Sequence, residues 1–307
     1  EVIIKSNPVE LHEIRPSSSY MSHIREYGYD EREFVKLHVY TLEDVDIVVH
    51  LDTNVLVLKH IDELIDAFVL EDKSGLHIAT MHEEAIPERV DFVFTRDYVQ
   101  MSKITNDTSK YGVQGGFFMV RPSMVTFEAM TRILRKGRYN HASGWHGLYY
   151  GGYNGAPQMQ GFLSYFYGER RSSLGALELN PCIYNTLIAY ESHTPDGRCR
   201  FGSNKSRCDD CQKTALEDVK IAHFAVCVRP WTCYLLRRYC QLCKDLLRKW
   251  FQLRRSLELS WGIEVPSGKF VFNHSYGYCG NGPNQKHGTY IPMSVDAIQQ
   301  VPETKSA

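Results

Sequence analysis

The chain of 307 residues lacks several features that would assign it to a class at once. Its formal net charge of -1 at pH 7 provides no general attraction to nucleic acid or to an anionic membrane surface, so we expect no nucleic-acid partner. No apolar run reaches the roughly 18 residues of a membrane-spanning helix, and no basic segment followed by an apolar one stands at the start. Because the sequence begins with Glu1 and not with Met, we allow for preceding residues that include a membrane anchor.

Cysteine is missing from the first part of the chain and is concentrated in the rest. None of the nine cysteines precedes Cys182. This distribution favours disulfides formed in an oxidising compartment; the alternative is a zinc site built from CDDC, starting at Cys208, and CQLC, starting at Cys240. The interval between the two motifs is longer than zinc ribbons usually have, so we prefer disulfides and the secretory pathway, with a cytoplasmic location left open. The odd number of cysteines leaves at least one thiol unpaired.

The chain does contain enough apolar sequence for a sizeable core. With 43% hydrophobic and 23% charged residues, it can form one large domain or two small ones. Apolar periodicity and turn residues predict further elements around the stretch described next. They are helices at 34–42, 61–70, 123–137 and 235–257, and strands at 76–80, 112–120 and 218–224.

The stretch IVVHLDTNVLVLKHIDELI, from Ile47 to Ile65, is the most informative part of the sequence. A β-branched apolar run ends at Asp52 and Asn54, whose side chains emerge on the same side of an extended chain because they are two residues apart. Oxygen ligands at a strand end suit Mg²⁺ or Mn²⁺, with a diphosphate completing the coordination. The competing interpretation is a polar turn between two strands, since Asp, Thr and Asn favour turns.

A second polar pair follows the predicted strand 218–224. His223 ends that strand, and Arg229 follows with the fork geometry that suits phosphate. A histidine at a strand end is often a structural residue, but here it would complete a set of oxygen and nitrogen ligands.

Two other segments have open interpretations. The loop 141–161, rich in Gly, Tyr and Trp, is compatible with sugar recognition and equally with a surface loop packed by its own side chains. The long helix is predicted to bury Leu242, Leu246, Leu253 and Leu257 and to expose a basic face that includes Arg254. We interpret the basic face as solvated, with an acidic partner or a membrane surface as the alternative.

Three blocks in this order, FVKLHVYTLEDVDIVVHLDTNVLVLKHIDELID, GVQGGFFMVRPS and KIAHFAVCVRPW, resemble the glycogenin-like family 8 glycosyltransferases. The resemblance runs from Glu1 to about Trp231. It implies an α/β fold of the GT-A type and transfer of a sugar from a nucleotide diphosphate, such as a UDP-sugar, with retention of configuration. The acceptor would be a glycan, a protein or a small molecule.

The resemblance also implies the metal and its ligands. The family's Asp-x-Asp motif falls on Asp52, Thr53 and Asn54, and its metal-binding histidine falls on His223, so Mn²⁺ or Mg²⁺ is expected there. Asn54 stands where the family has a second aspartate, and its missing charge should weaken metal binding.

The same resemblance implies the donor site. Lys36, Thr53 and Arg229 are expected near the donor, and Gln114 near the sugar. The family's Asp-Gln-Gly becomes Met159, Gln160 and Gly161, which leaves Gln160 as the expected catalytic residue because Met159 cannot act as nucleophile or base. We therefore expect front-face displacement. The alternative function is a glycosyltransferase-like domain that has lost catalysis and binds glycans or partners.

These inferences define the expected domain organisation. Residues 1–232 form a GT-A-type mixed sheet flanked by helices, in which the family's first strands are missing. Residues 233–262 form an amphipathic helix packed on that domain, and residues 263–307 form an irregular tail. The resemblance and the cysteines together favour the Golgi lumen.

Overall fold

A computed structural model describes residues 14, 16–26, 28, 31–80, 85–169, 173–187, 199, 208–234, 239–266, 275–280 and 288–293. The α-helices are α1 (Ser18–Glu26), α2 (Asp62–Val69), α3 (Leu76–Ala79), α4 (Met124–Lys136), α5 (Met159–Gly168) and α6 (Gln241–Ser260). The strands are β1 (Val48–Leu51), β2 (Val55–Val57), β3 (Phe92–Arg96), β4 (Val113–Val120), β5 (Tyr139–Asn140), β6 (Gly144–Trp145), β7 (Ala176–Glu178), β8 (Ile221–His223), β9 (Cys279–Gly280) and β10 (Thr289–Tyr290). Short 3₁₀ helices span Glu31–Thr41, Thr108–Lys110, Cys211–Lys213, Leu216–Asp218 and Pro230–Thr232.

The predicted mixed α/β architecture is confirmed. The main sheet has the strand order β1-β4-β3-β7, in which β4 is antiparallel to β1 and β3, and β3 is parallel to β7. A separate antiparallel pair joins β2 to β8. Every residue of β4 is buried, as its continuous apolar sequence predicts for a strand covered on both faces.

The two faces of β4 contribute to two hydrophobic clusters. Phe118 packs on one side with Phe127 of α4 and Phe162 of α5. Phe117 packs on the other side with Phe68 of α2. The alternation follows from the strand period of two, and it places helices on both faces of the sheet.

Most of the predicted elements before Gly137 are confirmed. The segment 61–70 contains α2, and the 3₁₀ helix Glu31–Thr41 covers the predicted helix at 34–42. Helix α4 begins after Ser123, whose Oγ accepts a hydrogen bond from the Thr126 amide at 3.2 Å, and it ends at Gly137 with φ 53°.

The strand predicted at 76–80 is wrong, because Leu76–Ala79 forms the short helix α3. Leu76 and Ala79, three residues apart, are both buried, whereas Ile78 is 79% exposed. This is a helical pattern, since a strand would have put Leu76 and Ile78 on the same face.

The aromatic loop 141–161 is packed by its own side chains. The Trp145 ring is fully buried, and its Nε1 donates a hydrogen bond to the Ala156 carbonyl at 2.9 Å. It lies edge-on to Tyr20 and Phe162. Trp145 therefore belongs to the core and is not free to stack on a sugar, whereas Tyr149 of the same loop is 50% exposed.

Helix α6 starts later than predicted and buries a partly different face. Leu242 is buried, but Leu257 is 43% exposed, whereas Arg254, expected to be solvated, is 7% exposed. Arg254 pairs with Glu258 at 2.9 Å and lies 4.0 Å from the centroid of the Tyr278 ring. The segment around β9 and β10 covers this side of the helix, so part of the predicted irregular tail is in fact folded.

The cysteines form disulfides, which contradicts the zinc alternative. The pairs are Cys182–Cys211, Cys199–Cys208, Cys227–Cys243 and Cys233–Cys279. The Cys240 thiol is unpaired. Four disulfides are compatible with a secreted or luminal protein. In the part of the chain that the structure describes, no helix is both long and apolar enough to cross a membrane.

Candidate active site

A cleft of about 720 Å³ contains every predicted site residue except Thr53, which lies in the turn between β1 and β2 with an exposed side chain. Asp52 follows the end of β1, and Asp97 follows the end of β3. Gln114 lies near the start of β4. Because β4 runs antiparallel to both neighbours, these three residues come together at the same edge of the sheet.

Asp52 is held as a carboxylate by two basic side chains. The Lys36 Nζ lies 2.8 Å from Oδ1 and 3.1 Å from Oδ2, and the His50 Nε2 lies 3.1 Å from Oδ1. Burial alone raises the pKa of the Asp52 carboxyl, but the hydrogen bond from His50 and the charge of Lys36 outweigh it and lower the pKa to about 2. Asp52 is therefore ionised at neutral pH.

His223 is held in the tautomer that a metal ligand needs. Its Nδ1 lies 2.9 Å from the Asn185 Oδ1, and the Asn185 Nδ2 donates a hydrogen bond to the Thr95 Oγ1 at 3.0 Å. In this arrangement the amide oxygen of Asn185 faces the ring. The His223 Nδ1 must then carry the proton, which leaves a lone pair on Nε2.

The electrostatic surroundings keep this imidazole neutral. Burial is the main cause, and the positive charges of Lys36 and Arg229 act in the same direction, so the pKa of His223 falls to about 4 despite the attraction of Asp52. A neutral ring with a free lone pair can accept a hydrogen bond or bind a cation.

The two adjacent glycines of β4 make room for site side chains. A Cβ on Gly116 would lie 2.5 Å from the His223 Nδ1 and closer still to Cε1. A Cβ on Gly115 would meet only the Lys36 Nζ, at 3.6 Å. Gly116 is therefore needed for the position of His223.

The contacts of the three candidate metal ligands show which of their atoms are available to bind a cation. Asp52 supplies a charged carboxylate and His223 a free lone pair, while the Asn54 Nδ2 donates to the Phe224 carbonyl at 3.4 Å. This hydrogen bond leaves the Asn54 Oδ1 available as a neutral ligand. The set fits a divalent cation, but with one negative charge. Among the described residues, no three His, Cys, Asp or Glu side chains converge to hold a metal ion.

Asp97 is a site residue that the sequence reasoning missed. Its side chain lines the cleft and is 3% exposed, and its Oδ1 has no hydrogen-bond partner in the described part of the chain. Burial raises the pKa of its carboxyl to about 6, although hydrogen bonds from Gln100, Val99 and Gln160 oppose the shift. An aspartate directly after a buried strand was a usable signal, the same one that identified Asp52.

Both predicted glutamines line the cleft. Gln160 is in the first turn of α5 and hydrogen-bonds Asp97. The Gln114 Oε1 accepts a hydrogen bond from the Gly116 amide at 2.7 Å, which orients its amide group. Met159 touches the cleft but belongs to the hydrophobic core.

Arg229 reaches the cleft from the loop that connects β8 to the 3₁₀ helix Pro230–Thr232. Disulfides hold this loop on both sides of Arg229. Cys227 is bonded to Cys243 of α6, and Cys233 to Cys279. The cysteine-rich part of the chain therefore fixes the position of a cationic site residue.

No model of a known protein family matches the chain. No curated protein matches it either.

Proposed function

We propose that the chain is a metal-dependent, retaining glycosyltransferase of the GT-A type, which moves a hexose from a nucleotide diphosphate donor to a glycan, protein or small-molecule acceptor. The observation that carries the proposal is that two chemically different groups of side chains line one cleft. The positive charges of Lys36 and Arg229 act on His223, and Asp97 is hydrogen-bonded to Gln160. A nucleotide sugar presents a comparable pair of groups, with an anionic diphosphate joined to a ring of neutral hydroxyls.

The cationic part of the cleft suits a diphosphate. Arg229 offers a planar fork of donors that matches phosphate oxygens, and Lys36 adds a second positive charge. Asp52, His223 and the Asn54 oxygen would hold Mn²⁺ or Mg²⁺, with Asn54 the weakest ligand. When bound, such a cation neutralises the charge that develops on the leaving diphosphate.

The polar part of the cleft suits the sugar. Asp97 lines this part of the cleft, but its unpartnered Oδ1 is buried, so a sugar hydroxyl reaches that oxygen only if neighbouring side chains move. Gln114 and Gln160 can orient further hydroxyls. We favour front-face displacement, in which the acceptor enters on the side that the diphosphate leaves. Detection of a covalent glycosyl–Asp97 adduct would contradict that order of events.

The fold supports the GT-A assignment through its mixed sheet. The antiparallel strand β4 lies between β1 and β3. Asp52 directly follows β1, and His223 is the last residue of β8. The disulfides are compatible with the Golgi lumen, which we propose as the location.

Calorimetry of the 307-residue chain with UDP, with and without Mn²⁺, tests the function. We expect Mn²⁺ to strengthen UDP binding, and Asn54→Asp to strengthen it further because the added carboxylate supplies the missing charge. Asn140→Asp is the control, since Asn140 is exposed and lies outside the cleft. UDP binding that does not respond to Mn²⁺ would favour the alternative, a binding domain without catalysis.

A further inference from the structure

The surroundings of Lys36 resemble those of a bound cation. Its Nζ contacts both oxygens of Asp52, at 2.8 and 3.1 Å, the Gly115 carbonyl at 3.2 Å and the Glu33 Oε2 at 3.2 Å. Its side chain is 11% exposed. An ammonium group has three N–H donors, and these oxygens are enough to use all of them. Lys36 therefore lines the cleft with its ammonium group directed at Asp52.

The oxygens of Asp52 are correspondingly occupied. Lys36 contacts Oδ1 and Oδ2, and His50 contacts Oδ1 as well. A Mg²⁺ or Mn²⁺ ion at this carboxylate needs ligands at about 2.0–2.2 Å and repels an ammonium group at the same oxygens. Metal binding to Asp52 consequently has a cost, which is the loss or weakening of the Lys36–Asp52 ion pair.

We propose that Lys36 is a built-in counter-ion of Asp52 that competes with the divalent cation, so that the metal site forms only together with the donor diphosphate. The inference rests on the proposed function. It assigns to Lys36 a role beyond contact with the donor, because it makes this lysine the residue that sets metal affinity.

The charges around Lys36 before and after the diphosphate binds explain why the metal requires the donor. Without a donor, Lys36 lies between the carboxylates of Asp52 and Glu33, and it is closer to Asp52. The neutral His223 and Asn54 add no charge. When a diphosphate enters beside Arg229, its oxygens offer Lys36 a new anionic partner within the same cleft. The long, flexible lysine stem lets the ammonium turn from Asp52 to the phosphate, which frees the carboxylate.

Water-proton relaxation, which detects protein-bound Mn²⁺ directly, tests the competition without measuring activity. We expect weak Mn²⁺ binding to the unaltered chain in the absence of nucleotide. Lys36→Met should strengthen that binding by at least about tenfold, because a partly buried ion pair no longer has to be broken. The same variant should bind UDP more weakly, whereas Lys36→Arg, which keeps the charge, should keep Mn²⁺ binding weak.

Lys213→Met is the matched control. Lys213 also pairs with an aspartate, Asp210 at 3.2 Å, but it is 82% exposed and lies outside the cleft. Removing this charge should leave Mn²⁺ affinity unchanged, which separates local competition from a change in net charge. Circular dichroism checks that each variant is folded, and Lys36→Gln replaces Lys36→Met if the latter is not.

The outcomes distinguish the inference from the proposed function. Suppose that Mn²⁺ binds to the unaltered chain in the presence of UDP, and that without UDP it binds to Lys36→Met no more tightly than to the unaltered chain. This result would overturn the inference and leave the proposed function standing. Failure of Mn²⁺ to bind to any variant, with or without UDP, would overturn the metal-dependent function and the inference with it.

Discussion

Replacing Gly116 by alanine should dislodge His223 while leaving the sheet in place. The added Cβ would lie 2.5 Å from the His223 Nδ1 and 3.1 Å from Nε2, whereas unstrained contacts between heavy atoms are about 3.5–4.0 Å. The imidazole cannot simply turn aside, because its Nδ1 is bonded to Asn185 and its backbone is paired with Val55. The ring must leave its position or the two strands must separate.

The magnitude follows from these contacts. Forcing a methyl group into a packed site costs about 1–3 kcal/mol, and losing the hydrogen bond between His223 and Asn185 costs about 1 kcal/mol. We therefore expect Gly116→Ala to lower the free energy of unfolding by about 2–4 kcal/mol. Displacing one of three candidate metal ligands should also reduce the affinity for Mn²⁺ with UDP by at least about tenfold.

Urea denaturation measures the loss of stability, and NMR of the imidazole nitrogens reports whether Nδ1 still carries the proton. Gly115→Ala is the control on the neighbouring residue, since its Cβ would meet only the Lys36 Nζ at an ordinary 3.6 Å. That variant should keep the stability and the His223 signal of the unaltered chain. If Gly116→Ala remained within about 0.5 kcal/mol of it and kept the same tautomer, the packing argument would be wrong.

Three further predictions concern stability. Removing the disulfide with Cys227→Ser and Cys243→Ser, 16 residues apart, should cost about 3 kcal/mol in urea denaturation and weaken UDP binding, because the Arg229 loop loses an attachment to α6. The pKa of His223 is lowered to about 4 in the folded chain, so the unfolded chain binds more protons between pH 6.5 and 4. The free energy of unfolding should therefore fall by up to about 3 kcal/mol as the pH decreases through that range. Asp97→Asn should raise stability at pH 7 by about 1–2 kcal/mol, because the buried carboxyl, with its pKa raised to about 6, no longer has to be ionised in the folded state.

Each of these has a result that would count against it. The double serine variant should match the unaltered chain under reducing conditions, so a difference there would point to a cause other than the disulfide. The pH effects of His223 and Asp97 have opposite signs, since a raised carboxyl pKa makes stability fall as pH increases from about 4 to 6. They are separated by subtracting the curves of His223→Asn and Asp97→Asn, and unchanged slopes would refute the two assignments.

Sequence reasoning worked where a feature depends on neighbouring residues in the chain. Asp52 after an apolar strand and His223 at the end of another were expected at strand ends, and the structure places both in the cleft. The helix beginning after Ser123 was predicted from its cap and its periodicity. Such features are local, because strand alternation and helix capping act over a few residues.

Tertiary structure decided the features that join distant segments. Asn185 orients His223, and Lys36 pairs with Asp52, only because the strands and the 3₁₀ helix bring them together. The buried face of α6 likewise depends on the segment around Cys279, which is bonded to Cys233 and contributes Tyr278 to the surroundings of Arg254, whereas Leu257 stays exposed. The local sequence pattern thus determined that polar side chains lie at strand ends. Long-range packing decided which of these side chains are in contact and what charge each of them carries.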